Sequence, residues 1–227
     1  PYVVVAMLVP IAMVLGWLLQ KIVLNRVLGN DPLPSLIATF GLSIALQNLM
    51  LQIWSADTRS LPGEGLEFAS LALGDFFVGV LPLQIFAAAL LMTAGLDLTL
   101  RYTAFGRSLR AASADPEAAA ITGINPQRVY AAATALAVGM LGIAAVCQSL
   151  RATVSPSDGP AQLIYAFEAV IIGGMGSVWG AFLGAMVLGV SQAIGFRLDA
   201  GWGILSGHLV FLAVLAVRPQ GLMSRRA

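Results

Sequence analysis

The sequence predicts an all-α, polytopic integral membrane protein, and three observations carry that prediction. Hydrophobic residues make up 59% of the 227 and charged residues only 10%, with a mean hydropathy of +0.89. Soluble domains carry about a quarter charged residues. The apolar residues are gathered into charge-free runs of the length a bilayer demands, about 20 residues per helix. Basic residues, finally, are shared unevenly between the loops that join those runs.

Seven crossings are expected in a single transmembrane domain spanning 1–227, at about 1–20, 33–55, 76–98, 129–150, 161–175, 178–196 and 202–217. The opening PYVVVAMLVP has no basic stretch before it, and Lys21 and Arg26 follow it instead. A secretory leader has the opposite order, so the first run is read as a retained span. It also reads as the middle of a longer protein. Pro10 is expected to kink this span, which membrane helices tolerate where neighbours satisfy the freed carbonyl. Pro32 and Pro34 mark the start of the second.

The fifth apolar run is too long for one plain helix and carries GGMGSVWG in its middle. A break there separates a short crossing from a longer one, with a re-entrant loop as the alternative to the short crossing. Charge bias tests the split. With seven crossings, Lys21, Arg26, Arg101, Arg107, Arg110, Arg128, Arg218, Arg225 and Arg226 fall on one side, against Arg59, Arg151 and Arg197 on the other. Six crossings would put the C-terminal arginines on the wrong face, so the positive-inside rule favours seven. The outer loop 57–75, with Asp57, Glu64, Glu67 and Asp75, is long enough for a short surface helix.

Residues 99–128 form the only long polar segment on the basic side. Arg107 and Arg110, three apart, share a face of a first short helix. Asp115 suits an N-cap, Pro116 the first helical position and Glu117 the positive helix end. Gly123 suits the position just past a second helix, and Pro126 prevents its continuation. Such a pair of capped helices makes a docking surface for a soluble partner, the plainer alternative being a solvated loop.

Several chemistries are excluded or left without residues. No phosphate-binding G-x-x-x-x-G-K-[ST] loop occurs, and Lys21 is the only lysine, so the chain has no ATP site of that kind. One histidine, His208, and one cysteine, Cys147, assemble no metal cluster, cofactor site or catalytic triad. His208 reads first as an interhelical hydrogen-bonding residue. A net charge of +1 leaves no nucleic-acid footprint. Asp97 and Glu168 lie at the ends of runs, where snorkelling or local water lowers the cost of charge.

Two intramembrane features remain. Ser35, Thr39, Ser43 and Gln47 recur every four residues on one face of the second span, and would line a polar path or bond to a neighbouring helix. Gly176, Gly180 and Gly184 form a small-residue ridge, and Gly203 and Gly207 another, whose default role is close packing. A glycine break also frees backbone groups, tolerated at membrane depth only within protein or beside water. Gly173, Gly174 and Gly176 are therefore placed near a translocation path.

The stretches LIATFGLSIALQN, GRSLRAASADPEAAAITGINPQRV, FEAVIIGGMGSVWGAFLGAMVLG and RPQGL, in this order through nearly the whole chain, resemble the branched-chain amino acid ABC transporter permeases of the bacterial inner membrane. The resemblance implies a second, related permease subunit, two cytoplasmic ATPase subunits and a periplasmic solute-binding protein. It also implies that residues 106–125 are the cytoplasmic segment that seats in the ATPase, with Gly106, Arg107, Arg110, Asp115, Glu117 and Gly123 matching its pattern. Family members begin with about two further helices, which this chain lacks. The same architecture serves urea and short amides, so substrate is an analogy. Two rivals are a carrier driven by an ion gradient, which the glycine break would suit, and a membrane scaffold with no transport role.

Overall fold

The structure, a computed structural model, describes residues 2–27, 33–63, 65, 69–73 and 76–223. They fall into two compact units, Pro1–Ala88 with Thr99–Ser157, and Ala89–Leu98 with Asp158–Ala227.

In the first unit, α1 (Tyr2–Leu19) runs on through Pro10 into a π-helical turn (Gln20–Leu24) and the short α2 (Asn25–Val27). It packs against α7 (Pro126–Arg151) along a seam of small residues, with Ala12, Gly16, Ala131, Ala135, Gly139 and Gly142 buried. A Cβ at Gly16 would sit 2.8 Å from the Thr134 carbonyl oxygen, and one at Gly139 2.6 Å from Met13 Cγ. Lipid is as apolar as leucine, so such close approach replaces the hydrophobic drive that joins helices in water. At one end of the seam the buried Gln20 accepts from the Thr134 hydroxyl at 2.7 Å and donates to Asn25 Oδ1 at 3.0 Å.

Helix α3 (Leu33–Trp54) buries none of its residues; Phe40, Ile44, Leu49 and Ile53 all point outward. The connection that follows differs from expectation. In place of a surface helix it forms an antiparallel hairpin, β1 (Ser70–Leu73) with β2 (Phe76–Gly79), pairing Ser70 with Gly79 and Leu73 with Phe76. Two short apolar runs, 71–73 and 76–78, are of strand rather than helix length. Glu64, Glu67 and Asp75 lie outside the described residues. The loop is pinned to the end of α7, Arg59 and Val154 exchanging hydrogen bonds of 2.9 and 2.7 Å. Helix α4 (Val80–Tyr102) contributes 80–88 and 99–102 to this unit, and 89–98 to the other. Two short helices, α5 (Ala104–Ala114) and α6 (Pro116–Ile121), lead into α7, which begins at Pro126 with Asn125 as its cap rather than at 129.

The second unit is built on α8 (Gly159–Gly173), α9 (Val178–Leu198) and α10 (Trp202–Val217). Backbone meets backbone between α8 and α9: a Cβ at Gly184 would lie 2.0 Å from the Ala169 carbonyl oxygen, and one at Gly173 2.0 Å from that of Gly180. Gly176 is not part of that ridge. It sits in the turn before α9 with open space around it. Between α9 and α10, Gly203 receives the Phe196 ring, Gly207 receives Gln192, and the Ser206 hydroxyl lies 2.8 Å from the Ser191 carbonyl.

Five helices are long and apolar enough to cross a bilayer among the described residues: Tyr2–Val27, Leu33–Trp54, Val80–Tyr102, Pro126–Arg151 and Val178–Leu198. Helices α8 and α10 are apolar but only 15 and 16 residues long. Among the described residues, fifty outward-facing large apolar side chains fit a surface solvated by lipid rather than water.

Candidate functional site

The polar segment folds as a pair of capped helices. Thr103 opens α5: its hydroxyl oxygen accepts from Gly106 N–H at 3.2 Å and its own proton goes to the Thr99 carbonyl at 2.6 Å. Asp115 closes α5 and caps α6, its Oδ1 accepting from Glu117 and Ala118 N–H at 3.0 Å each. Pro116 takes the first helical position, and Glu117 stands where negative charge meets the helix dipole. Past Thr122, Gly123 adopts φ +88°, a conformation that residues with a Cβ rarely enter. Ile124 N–H then bonds the Ala119 carbonyl at 3.1 Å and seals the end.

The first helix of the pair, α5, is fastened to long helices on both sides. Gly106 is buried, and a Cβ there would lie 2.0 Å from the Leu100 carbonyl oxygen. The Arg110 guanidinium donates to that same carbonyl, and Arg107 reaches the Tyr102 carbonyl at 3.4 Å. The two arginines thus satisfy the open carbonyls that end α4, where positive charge is favoured. On the other side Tyr130 of α7 donates its hydroxyl to the Ala112 carbonyl at 2.7 Å. The structure brings Gly106, Arg107 and Arg110 to the α4 end, and strings Asp115, Glu117 and Gly123 along the exposed α6.

Ile121 was not singled out by sequence reasoning. It ends α6 with 89% of its surface exposed, next to Gly123. A signal existed: it is the sole large apolar residue between Leu109 and Ile124.

The path candidates divide between the units. On α3, Thr39 and Ser43 are exposed and Gln47 is half-buried, and the Thr39 hydroxyl donates within its own helix to the Ser35 and Leu36 carbonyls at 2.9 and 3.0 Å. Thr39 therefore needs no neighbouring helix to satisfy its proton. In the second unit Gly173 and Gly174 are buried, and only Gly176 is exposed. The carbonyls of the break are not free as expected, because those of Ile172 and Gly173 accept from Leu222 and Met223 N–H at 2.8 and 2.9 Å.

Glu168, at the end of an apolar run in the sequence, is enclosed by protein. It is buried in α8 with Oε1 2.5 Å from His208 Nδ1 of α10, while its Oε2 has no partner. The hydrogen bond to His208 satisfies one carboxyl oxygen within the protein, and Tyr165 stacks on the His208 ring with centroids 6.1 Å apart. In the same unit Asp97 accepts from the Trp179 indole at 3.3 Å. No group of three or more His, Cys, Asp or Glu is arranged to hold a metal among the described residues.

Residues 1–215 match the family described as "Branched-chain amino acid transport system / permease component". The chain belongs to that family. Its relatives include a high-affinity branched-chain amino acid transport system permease protein, BraD, of Pseudomonas aeruginosa, 27% identical over 216 residues that cover 92% of this chain and 70% of the relative. The LivH permease protein of Escherichia coli is 28% identical over 227 residues, 95% of this chain and 71% of the relative. A probable LivH of Methanocaldococcus jannaschii is 30% identical over 166 residues, 68% and 52% respectively. No solved structure matches the chain. Family membership and the apolar helices make this a multi-pass permease component of a transport system.

Proposed function

We propose that this permease is a membrane subunit of an ATP-driven importer that carries branched-chain amino acids across the bacterial inner membrane, and that α5 and α6 seat in a cytoplasmic ATPase. The importer would pair it with a second, related permease, two ATPase subunits and a periplasmic solute-binding protein. The observation that carries the reading is the fastening of the helix pair. An exposed, capped helix ending in Ile121 follows directly on α5, which is tied through Gly106, Arg110 and the Tyr130 hydroxyl to two long apolar helices. Force applied to α6 passes through the Asp115 junction to α5, and from there to α4 and α7 through hydrogen bonds and backbone contact.

Seven crossings, with 99–128 and the C-terminus cytoplasmic, follow from the basic-residue asymmetry. Support for the last two of these crossings comes from the second unit. Met223 meets Gly173, with α9 and α10 between them in sequence, as two antiparallel crossings require. Thr39, Ser43 and Gln47 on α3, and the exposed Gly176, are the surfaces proposed to face the substrate path.

The test uses the assembled complex in liposomes. Ile121→Asp and Glu117→Lys change exposed α6 side chains and leave the caps in place. Each is expected to lower amino-acid-stimulated ATP hydrolysis by about tenfold, as loss of an interface anchor does. Unchanged stimulation in both variants would remove the docking role. Uptake driven by an ion gradient without ATPase subunits would replace the importer with a carrier.

A further inference from the structure

We infer that the C-terminal strap, residues 218–223, is a positioning element for the glycine corner between α8 and α9, and that Gly221 is the residue that lets it seat. A helix end leaves four carbonyls without partners inside the helix. At the end of α8, the Val170 carbonyl takes Gly174 N–H at 2.9 Å, and the strap supplies donors for two more, Leu222 N–H to Ile172 and Met223 N–H to Gly173. The strap reaches this place by a turn at the end of α10, where Arg218 N–H bonds Val214 at 2.7 Å and Gly221 N–H bonds Arg218 at 2.9 Å.

Gly221 has no substitute in that geometry. Its φ is +82°, and a Cβ would lie 2.3 Å from Gly174 Cα, 2.4 Å from Gly174 N and 2.8 Å from the Ile171 carbonyl oxygen. All three atoms are backbone, so no side chain can swing aside. Gly221 is buried whereas Leu222 and Met223 remain 39% and 44% exposed. The strap is thus held chiefly by its main chain, which explains why the RPQGL run reads as a motif without any catalytic residue in it. With Glu168 and His208 joining the same two helices, α8 and α10 are tied at two levels. The corner at 173–176 cannot shift against α10 while the strap is seated.

The transport arm of the test rests on the permease reading above; the exchange arm does not. The assembled importer is reconstituted with wild type, Gly221→Ala, Leu222→Pro and Leu222→Ala. Amide exchange at Met223 is followed beside leucine uptake per ATP hydrolysed, a ratio that mere loss of folded protein leaves unchanged. Gly221→Ala and Leu222→Pro are expected to speed Met223 exchange by about tenfold, the cost of a lost buried hydrogen bond, and to lower the ratio. Leu222→Ala keeps its N–H and is expected to match wild type in both. The strap is overturned if the wild-type Met223 amide exchanges as fast as an open tail, or if Leu222→Ala is as damaging as Leu222→Pro. It is equally overturned if Gly221→Ala preserves both protection and ratio. Protection in wild type without any leucine uptake would support the strap and count against the importer.

Discussion

The α1–α7 seam of the first unit and the α8–α9–α10 assembly of the second solve one problem with different chemistry. Both must join apolar helices where burial of apolar surface gives little drive, and both do so by removing side chains so that backbones approach. In the first, the seam is closed by a neutral amide, Gln20, satisfied on both its polar atoms by Thr134 and Asn25. In the second, a carboxylate is buried against a histidine and one of its oxygens is left over. A satisfied neutral link tolerates loss of a partner because little charge is stranded. A buried carboxyl group with a single hydrogen-bond partner has no such reserve.

Breaking the Glu168–His208 link should therefore have the largest effect. His208→Leu leaves Glu168 buried without a hydrogen-bond partner and is expected to destabilise the second unit by about 3 kcal/mol, whereas Glu168→Leu with His208→Leu should recover most of the loss. Unfolding of the three proteins in mixed micelles by denaturant measures this. A double variant no more stable than His208→Leu alone would mean that the pair is not linked through this hydrogen bond. The next effect belongs to the seam. Gly16→Ala forces a methyl to within 2.8 Å of the Thr134 carbonyl and Val138, and should cost about 1–3 kcal/mol by overpacking. At Gly41 nothing lies within 4 Å, so Gly41→Ala serves as the control in the same unfolding assay.

How much of this was legible in the sequence follows from which rules are local. The capped pair α5–α6 could be read residue by residue, because Asp115, Pro116 and Gly123 act on their own backbone within a few positions. The fastening could not. Arg110 to Leu100, Tyr130 to Ala112 and Gly106 against α4 join residues whose meeting depends on how α4 and α7 run. The glycine break was visible in GGMGSVWG. Its carbonyls looked free because nothing in the sequence tells that RPQGL, some 45 residues later, returns to fill them. The surface helix expected in 57–75 failed for a related reason: length admits a helix, but pairing of 70–73 with 76–79 decides the conformation. The burial of Glu168 could not be read either, because its partner, His208, lies 40 residues away.

A smaller effect is expected at the cap. Asp115→Ala removes the acceptor for Glu117 and Ala118 N–H, and should loosen α6 by about 1 kcal/mol. Faster amide exchange confined to 116–122, with an unchanged unfolding midpoint, is the expected signature. A lowered midpoint would show that α6 supports the unit rather than standing on it.

The smallest effect sharpens the comparison most. If the Gln20 link of the first unit differs in kind from the Glu168–His208 link of the second, Gln20→Leu and Thr134→Val should each be mild and their coupling weak, about 0.6 kcal/mol, as for other hydrogen bonds between membrane helices. The reason is that Gln20 keeps Asn25 when Thr134 is lost, and the Thr134 hydroxyl can turn to a carbonyl of its own helix when Gln20 is lost. A double-mutant cycle read by denaturant unfolding isolates that term from the packing changes. A coupling as large as that between Glu168 and His208 would place a second stranded-group penalty in the first unit, and the contrast between the two regions would then rest on geometry alone.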